Sequence, residues 1–527
     1  MEKGIEKWKP LVILYKRIET GMQKIVKIPN QSGYESIFNW EERNMKKKLV
    51  SSLLCLTMLA GCLTGCGGGG NEAGGTNGGT EASGTADEAG DEESTEVQGV
   101  SSSAGDENGT KLELWTFVDA HAEFYLKMVE SWNEQNPDET IYLTATTYPY
   151  SDMHNKYLMS LQADTGAPDL CDVEVGQFPN VVAYEDNQLV ALDDAAAPYM
   201  ETMVPARMDT YAGANGKHYG APFHVGATVM YYNVDLISQA LGCSYDEAIA
   251  KIDAVKTWED YEALGKEYVD AKGEEGKYWT SVDTGGTDWL WLAMAEYGDD
   301  WTGGFDGEPN VQLESVSSML KMQQSWLNDN LAQVSPDGHV DLEAGYQNIL
   351  DGNIVSFPKA MWYMSRFKNY MDGEEDSQKG KWYIAKCPVF KEGQDCSVGI
   401  GGTGTVVSKQ SAAPELAAKF ICWAKMSEEG EAYIWNELGF DVCNTAYWTD
   451  PAFAQDENNY YNTFFLNKPY DVLADIAGQI GKISVVPASP TINEQLCTIT
   501  LNAVLEEGQD VDEALQEAQD EIMLNVE

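Results

Sequence analysis

Residues 111 to 175 read KLELWTFVDAHAEFYLKMVESWNEQNPDETIYLTATTYPYSDMHNKYLMSLQADTGAPDLCDVEV. Apolar and polar residues first alternate, as in a strand, and then apolar residues recur at helical spacing. This pattern predicts strands over 112–117, 140–146 and 170–175, separated by helices over 120–136 and 151–163. Successive strands that are joined by helices run parallel, so the predicted fold class is α/β.

The rest of the chain continues this alternation. Val225 to Asn233 is a β-rich run, and Thr257 to Asp260 matches a helix start in which a threonine and an acid three residues later form a capping box. The glycine-rich run Gly399 to Gly404 predicts a bend before a strand. It is not a dinucleotide-binding motif, which needs a strand before it and a helix after it. The 461 residues that follow Cys66 fit two or three packed domains.

An export signal is predicted over residues 45–65. Met45 to Cys66 reads MKKKLVSSLLCLTMLAGCLTGC, in which three lysines precede an apolar run. The run is too short to span a bilayer, which takes about 20 residues. Two consecutive stretches, LAGC at 59–62 and LTGC at 63–66, match the bacterial lipobox, whose cysteine carries a lipid. We favour Cys66, where the glycine tract begins, over Cys62, and we expect a lipid anchor at the extracytoplasmic face of the cell membrane.

Two more segments belong to this N-terminal region. Residues 1–44 precede the signal and are interpreted as upstream sequence translated from a misplaced start. Residues 66–110 are rich in Gly, Ser and Thr, and from Gly67 to Thr110 they include ten acids but no Lys, Arg or aromatic residue. A segment of this composition cannot bury a core. We therefore expect a lipidated, disordered tether there.

Charge and cysteine usage exclude several functions. The formal net charge is −51, and after residue 48 the chain carries 79 acidic against 23 basic side chains. Binding to phosphate backbones needs clustered basic residues, so nucleic acid is not an expected partner. The chain has no His/Cys spacing typical of a metal site and no phosphate loop, so we expect neither a metal nor a cofactor. The seven cysteines after the signal are expected to be mostly buried, with one disulfide left open.

The order of several short motifs resembles the extracellular solute-binding proteins of carbohydrate ABC importers. They are LELWTF at 112–117, TGAPD at 165–169, YGAPF at 219–223, VMYYN at 229–233, TWEDY at 257–261 and FPKAMW at 357–362. The last departs from the Gly-Lys-Ala-Ala-Met that the family usually has. The resemblance implies a two-lobed clamp like that of periplasmic binding proteins, in which each lobe is a sheet flanked by helices. It assigns 111–226 and about 384–432 to lobe I, and about 227–383 and 433–527 to lobe II.

The same resemblance implies a function. The protein is expected to be a monomeric receptor that binds a sugar or oligosaccharide, of the arabinose or lactose type, and delivers it to the transmembrane subunits of an ABC permease. It is not expected to be an enzyme. Two alternatives stay open: an extracellular glycoside hydrolase, whose paired carboxylates and aromatic subsites give a similar composition, and a carbohydrate-binding surface protein that works without a permease.

Candidate ligand-binding residues follow from sugar chemistry and from strand ends. A sugar ring presents hydroxyls at its rim and C–H groups on its faces, so its site uses aromatic planes and polar groups. Sites in open α/β sheets lie at the carboxyl ends of strands. The residues selected in this way are Trp115, Phe117, Asp119, His121, Glu174, Gln177, Phe223, His224, Asp288, Trp289, Trp291, Trp362, Tyr363, Gly402 and Thr403.

Most of these candidates also have a structural interpretation. The alternatives are N-capping for Asp119, a core-edge position for His121, simple exposure for Glu174 and Gln177, hinge packing for Phe223 and His224, and core packing for Trp289 and Trp291.

Overall fold

The computed structural model describes residues 99–182, 187–305, 307–371 and 377–526. The upstream segment, the export signal and both candidate lipidation sites, Cys62 and Cys66, lie outside the described residues. Within these ranges, no helix combines the length and the apolar character needed to cross a membrane.

Thirteen strands are present in the described ranges. They are β1 (Val100–Gly105), β2 (Thr110–Thr116), β3 (Ile141–Thr147), β4 (Leu170–Glu174), β5 (Gly220–Pro222), β6 (Thr228–Asn233), β7 (Thr280–Val282), β8 (Ala332–Val334), β9 (Ser356–Ala360), β10 (Trp382–Ala385), β11 (Ser397–Val398), β12 (Thr403–Val407) and β13 (Ile480–Gly481).

The strands form one large sheet and three smaller ones. The large sheet has the order β1-β3-β2-β4-β12-β5, and a three-stranded sheet has the order β10-β6-β9. In the large sheet β2 lies parallel to β3 and β4, whereas β12 runs antiparallel to β4 and β5. The three-stranded sheet is antiparallel, and the pairs β7-β8 and β11-β13 are parallel. The predicted βαβαβ unit with parallel strands is confirmed.

Helices flank these sheets. The α-helices are α1 (Asp119–Gln135), α2 (Tyr150–Gln162), α3 (Phe178–Val182), α4 (Asp193–Ala196), α5 (Pro205–Thr210), α6 (Val234–Leu241), α7 (Tyr245–Ala254), α8 (Trp258–Lys272), α9 (Asp288–Tyr297), α10 (Glu314–Asn328), α11 (Glu343–Leu350), α12 (Met364–Arg366), α13 (Pro414–Met426), α14 (Glu428–Tyr433), α15 (Pro451–Ala454), α16 (Tyr460–Phe464), α17 (Pro469–Asp475), α18 (Ser489–Gln495), α19 (Leu501–Leu505) and α20 (Val511–Asn525). Short 3₁₀ turns cover Pro336–Gly338, Met361–Tyr363 and Thr445–Trp448, and π-helical turns cover Phe367–Met371, Ile434–Leu438 and Leu496–Thr500.

The capping box predicted at Thr257 is confirmed. The Thr257 side chain accepts from the backbone N–H of Asp260, and the Asp260 carboxylate accepts from the backbone N–H of Thr257 at 3.0 Å. Both bonds satisfy donors that the first turn of α8 would otherwise leave free.

Strand β1 corrects the predicted tether. It lies inside the segment 66–110 and pairs antiparallel with β3, with Val100 opposite Thr147. The hydroxyl oxygens of Ser101 and Thr146 are 2.9 Å apart, and most of β1 is exposed. The composition argument was wrong for this strand because an edge strand needs backbone partners rather than an apolar core. Disorder stays a prediction for residues 66–98, which are outside the described part.

Two chain passages connect the large sheet with two of the smaller sheets. Residues 223–227 connect β5 to β6, and residues 399–402 connect β11 to β12. The two passages contact each other, since the Ile400 N–H donates to the Gly226 carbonyl at 2.9 Å. A third segment joins them where the Ala227 N–H donates to Oδ2 of Asp441 at 2.8 Å. The residue limits of the two lobes stay a prediction.

The seven described cysteines are all unpaired. Cys171, Cys387, Cys396, Cys422 and Cys443 are buried, and Cys243 and Cys497 are partly exposed. Most of them therefore occupy the small buried positions that the sequence predicts.

Candidate functional site

Arg207 forms hydrogen bonds to both passages. Its guanidinium is buried on α5, where Nε donates to the His224 carbonyl at 2.8 Å and Nη2 donates to the Gly401 carbonyl at 2.5 Å. Its Nη1 has no hydrogen-bond partner among the described residues, and Arg207 lines a small cavity with Val225 and Gly399. One planar cation therefore binds the backbone of both passages at once.

The glycine-rich bend makes this approach possible. Gly402 has a φ of 104°, and a Cβ atom there would lie 1.8 Å from Nη2 of Arg207 and 3.1 Å from Nε2 of His224. Only glycine adopts such a backbone readily and leaves room for the guanidinium. Thr403, the first residue of β12, is buried, and its carbonyl accepts from the Phe223 N–H at 3.2 Å.

Asp172 lies fully buried beneath the carboxyl ends of the parallel strands. Its carboxylate accepts from Thr116 at 2.7 Å, His121 at 3.1 Å, Tyr125 at 2.5 Å and Thr405 at 2.7 Å. Burial alone would raise the pKa of Asp172, but the hydrogen bond from His121 and the nearby Lys425 hold it below its ordinary value. Asp172 is therefore a buried anion that orients the side chains above it.

Phe223 lies between a histidine and a lysine. The rings of His121 and Phe223 are 4.1 Å apart, and Nζ of Lys425 lies 3.5 Å from the Phe223 ring centroid. Nζ of Lys425 also donates to the Ala221 carbonyl at 2.9 Å. Burial lowers the pKa of Lys425 to about 7. The hinge-packing interpretation describes the observed surroundings of Phe223.

His224 is a buried histidine without hydrogen bonds to its ring. Neither ring nitrogen has a partner among the described residues, and the ring lies 4.8 Å from that of Phe440. Burial, followed by the charge of Arg207, lowers the pKa of His224 well below its ordinary value. A neutral imidazole with free nitrogens can both donate to and accept from a hydroxyl group.

Glu174 and Phe117 lie at the same edge of the sheet. Oε2 of Glu174 accepts from the Gly176 N–H at 2.7 Å and from the Tyr150 hydroxyl at 3.2 Å. Burial raises the pKa of Glu174. The Phe117 ring is half-buried, 5.1 Å from the ring of Tyr150 and 6.2 Å from that of His121.

A second polar cluster surrounds Trp362 at the end of β9. The half-buried indole donates from Nε1 to the Ile400 carbonyl at 2.9 Å, and the Arg366 guanidinium lies 5.0 Å from its ring. Lys359 is buried in β9, where Nζ donates to Oδ2 of Asp288 and lies 3.2 Å from Nε2 of His339. Asp288 is therefore held by an ion pair at the start of α9.

The structure brings together about half of the predicted residues. Direct ring and backbone contacts connect Phe117, His121, Glu174, Phe223, His224, Trp362, Gly402 and Thr403 around the two passages.

Four aromatic candidates lie in packed cores instead. Trp289 contacts the rings of Trp258 and Trp326, and Trp291 lies 4.7 Å from the ring of Trp301. Trp115 is 7% exposed and Tyr363 is fully buried, with its hydroxyl on the Val340 carbonyl at 3.0 Å. Since other residues surround these rings, they offer little surface to a ligand, and we leave them out of the proposed site.

Asp119 and Gln177 remain at the periphery. Asp119 is exposed as the first residue of α1, and the cap position is Val118, which makes no side-chain capping bond. The N-capping interpretation of Asp119 is therefore wrong. Gln177 is half-buried and accepts from Nδ2 of Asn180 at 3.1 Å.

Sequence reasoning missed the charged residues that hold the site, namely Asp172, Arg207, Lys359, Asp341 and Arg366. One signal was available, since Arg207 and Arg366 are the two arginines of the chain after residue 43. An acidic protein that keeps only two arginines beyond its N-terminal segment uses them where a planar, permanently charged donor is needed.

No group of three or more potential metal ligands occurs in the described ranges. The site instead combines aromatic rings with neutral histidines, hydroxyls and bidentate donors, a combination that suits a polar, uncharged ligand with many hydroxyl groups.

Comparison with known proteins identifies the family. Residues 127–460 match the model of the bacterial extracellular solute-binding proteins. An arabinooligosaccharide-binding protein of Halalkalibacterium halodurans is 36% identical over 79% of this chain and 90% of its own length. The chain belongs to the bacterial extracellular solute-binding proteins. A second arabinooligosaccharide-binding protein, from Bacillus subtilis, is 36% identical over 71% of this chain and 82% of its own length.

A solved sugar-binding protein has the same fold. The sugar-binding protein MalE of Xanthomonas citri superposes with a TM-score of 0.65 at 18% identity, over 79% of this chain and 97% of that one. The solute-binding protein described here is therefore a two-lobed α/β protein, as the sequence predicts, and the passages at 223–227 and 399–402 run between its sheets.

Proposed function

We propose that this solute-binding protein is the extracytoplasmic receptor for an arabinose-containing oligosaccharide and delivers it to an ABC permease. One observation carries the proposal, namely the 36% identity to an arabinooligosaccharide-binding protein over 90% of that protein's length. The alignment extends over nearly the whole of that relative, so it covers most of the folded part of this chain.

The geometry supports a hydroxyl-rich, uncharged ligand. The half-buried rings of Phe117 and Trp362 offer apolar faces. The ring nitrogens of His224 are buried without a hydrogen-bond partner among the described residues, so they reach a ligand only if the surrounding residues rearrange on binding. Arg207 and Arg366 supply donors, but Arg366 is already paired with Asp341, at 2.8 Å from Nε to Oδ1. A charged ligand would need a cluster of unpaired protein charges of the opposite sign, and the residues described for this site do not form one.

Delivery needs a change of shape on binding. A ligand shifts the lobes toward a closed state only if it binds that state more tightly. The passages that Arg207 joins are the segments about which such closure would occur, because each of them carries the chain between the large sheet and a smaller one.

We further propose that the receptor binds its sugar without cleaving it. A retaining or inverting hydrolase needs two carboxylates that both face the sugar. Asp172 is fully buried with four hydrogen-bond donors around it, so it cannot serve as one member of such a pair. The proposed receptor also carries a lipid on Cys66, with Cys62 as the alternative, and acts as a monomer.

Tryptophan fluorescence during titration with arabino-oligosaccharides, lactose and maltodextrins tests the binding proposal. We expect saturable quenching with the arabino-oligosaccharides and no new reducing ends after prolonged incubation. Release of reducing ends would favour the hydrolase, and absence of binding to every saccharide would refute the proposal.

Labelled palmitate tests the anchor separately. Cells that express the full chain should incorporate the label, and Cys66→Ala should abolish this while Cys62→Ala leaves it. The reverse pattern would assign the lipid to Cys62. Absence of label from the unmodified chain would refute the anchor.

A further inference from the structure

Three side chains continue outward from the predicted ligand-contacting tryptophan along one helical face. Trp362, Arg366 and Tyr370 follow one another at intervals of four residues, through a 3₁₀ turn, a short α-helix and a π-helical turn. Residues four apart lie on the same face of a helix. The Arg366 guanidinium lies 5.0 Å from the Trp362 ring and 5.9 Å from the Tyr370 ring, so the three groups form a continuous row, called here the outer track.

Exposure increases along the outer track. Trp362 and Arg366 are partly exposed, and Tyr370 is 59% exposed, one of the few large aromatic or aliphatic side chains in the described ranges with so much surface in water. Eight residues of helix span on the order of 12 Å, a distance greater than a single sugar ring bridges. The track therefore leads from the proposed sugar site to the solvent.

The exposed end of the track is held in place rather than loose. The ring of Tyr346 stacks on that of Tyr370 with centroids 5.2 Å apart and planes within 5°. The Tyr346 hydroxyl donates to Oδ1 of Asp341 at 2.5 Å, and Asp341 accepts two hydrogen bonds from Arg366, at 2.8 and 3.2 Å. One carboxylate thus orients both the guanidinium and the ring that supports Tyr370.

Donor capacity remains in the middle of the track. Nη1 of Arg366 makes only a long contact of 3.4 Å with the Ser365 hydroxyl. Consecutive sugar units present C–H faces that alternate with hydroxyl groups. A guanidinium with an unused donor between two aromatic rings is complementary to this arrangement. The π-helical turn at Phe367–Met371 breaks the regular helix at this position, and such turns are frequent at functional sites.

We infer that the outer track is an additional subsite that binds the distal units of an oligosaccharide whose first units occupy the site at Trp362. The inference rests on the proposed function, and it adds where the distal units of the oligosaccharide bind and which exposed side chain they contact. Tyr370 then contributes to affinity only when the chain is long enough to reach it.

Calorimetric titration with arabino-oligosaccharides of two to eight units tests this inference. In the unmodified protein, affinity should increase with chain length and then level off. In Tyr370→Ala, affinity for the longest ligands should fall about threefold to tenfold, the range expected for one aromatic contact, while affinity for the disaccharide stays unchanged. Tyr370→Phe, which keeps the ring, should retain the gain with length.

Phe305→Ala is the control, because Phe305 is also an exposed aromatic side chain and does not belong to the track. It should bind every ligand like the unmodified protein. Equal losses for short and long ligands in Tyr370→Ala, no loss for any of them, or no gain with length in the unmodified protein would each overturn the outer track. Failure of the unmodified protein to bind any arabino-oligosaccharide would instead refute the proposed function.

Discussion

Nδ1 of His121 lies 3.1 Å from Oδ2 of Asp172, and the carboxylate is completely buried. Because a carboxylate can only accept, Nδ1 carries the proton and Nε2 is left as the acceptor of the neutral ring. Burial, which outweighs the opposing effect of Asp172, lowers the pKa of His121, so this neutral form persists at pH 7. A buried anion beneath the site thus determines what the histidine above it can offer to a sugar hydroxyl.

Replacement of Asp172 should change which ring nitrogen of His121 carries the proton. In Asp172→Asn the amide nitrogen cannot accept from His121 or Thr116, so we expect ¹⁵N NMR to show loss of the Nδ1–H form and the affinity for the saccharide to fall about tenfold, as for one hydrogen bond. Thr405→Val is the matched control, since it removes another hydrogen bond to Asp172 but leaves the one from His121. An Nε2–H tautomer in the unmodified protein would contradict the prediction.

The glycine bend should tolerate no side chain at position 402. Gly402→Ala places a methyl group against Nη2 of Arg207 in a backbone conformation that alanine rarely adopts, so the free energy of unfolding should fall by about 2 kcal/mol or more. Gly478→Ala is the control, because nothing lies within 4 Å of its Cβ position and its φ is not positive. Urea denaturation measures the free energy of unfolding of both variants. Equal values would show that the Arg207 side chain can move away from the added methyl group.

Substitutions of Trp362 and Trp289 should have different effects, the first on saccharide affinity and the second on stability. Trp362→Ala removes a half-buried ring and should weaken saccharide binding while the protein stays folded. Trp289→Phe changes a ring that packs between Trp258 and Trp326, so it should lower the melting temperature and leave the affinity unchanged. Unchanged affinity in Trp362→Ala would remove this residue from the site.

Asp441 should make stability depend on pH. Burial raises its pKa to about 7, so the folded state holds a proton that the unfolded state has lost above pH 4. This contribution is fully present below about pH 4 and disappears as the pH rises through 7. Asp441→Asn can still accept from the Ala227 N–H. Relative to the unmodified protein, the variant should therefore gain up to about 4 kcal/mol of unfolding free energy between pH 4 and pH 8.

Urea denaturation at the two pH values measures this difference. All other titrating groups are shared by the two proteins, so their effects cancel in the comparison. A difference in unfolding free energy that stays the same at pH 4 and pH 8 would mean that Asp441 titrates near its ordinary value.

Local pattern was sufficient to predict most of the elements. Helix α8 begins at Trp258, where its capping box predicts, and the parallel β2, β3 and β4 follow from alternation and helical spacing. Strand β1 could not be predicted in this way, because its exposed Ser-rich sequence is ordered mainly by hydrogen bonds to β3, a partner some 40 residues away.

The candidate site was harder to predict than the fold. A Trp that follows a strand can stay partly exposed, as Trp362 does, or lie in a core, as Trp289 does, and the difference depends on which distant helices cover it. The role of Arg207 was equally hard to predict, because the carbonyl groups of His224 and Gly401 that it binds are brought together only by the tertiary structure. The short motifs locate strand ends, but they do not say which side chains remain uncovered.

Strand β1 also determines the point at which any pull from upstream reaches the fold. Because β1 runs antiparallel to β3, Val100 lies beside Thr147, at the carboxyl ends of the parallel strands, where Phe117 and Glu174 also lie. The upstream chain therefore joins the fold at the rim where Phe117 and Glu174 lie. A force applied through that chain would act first on the hydrogen bonds between β1 and β3, at the exposed edge of the large sheet.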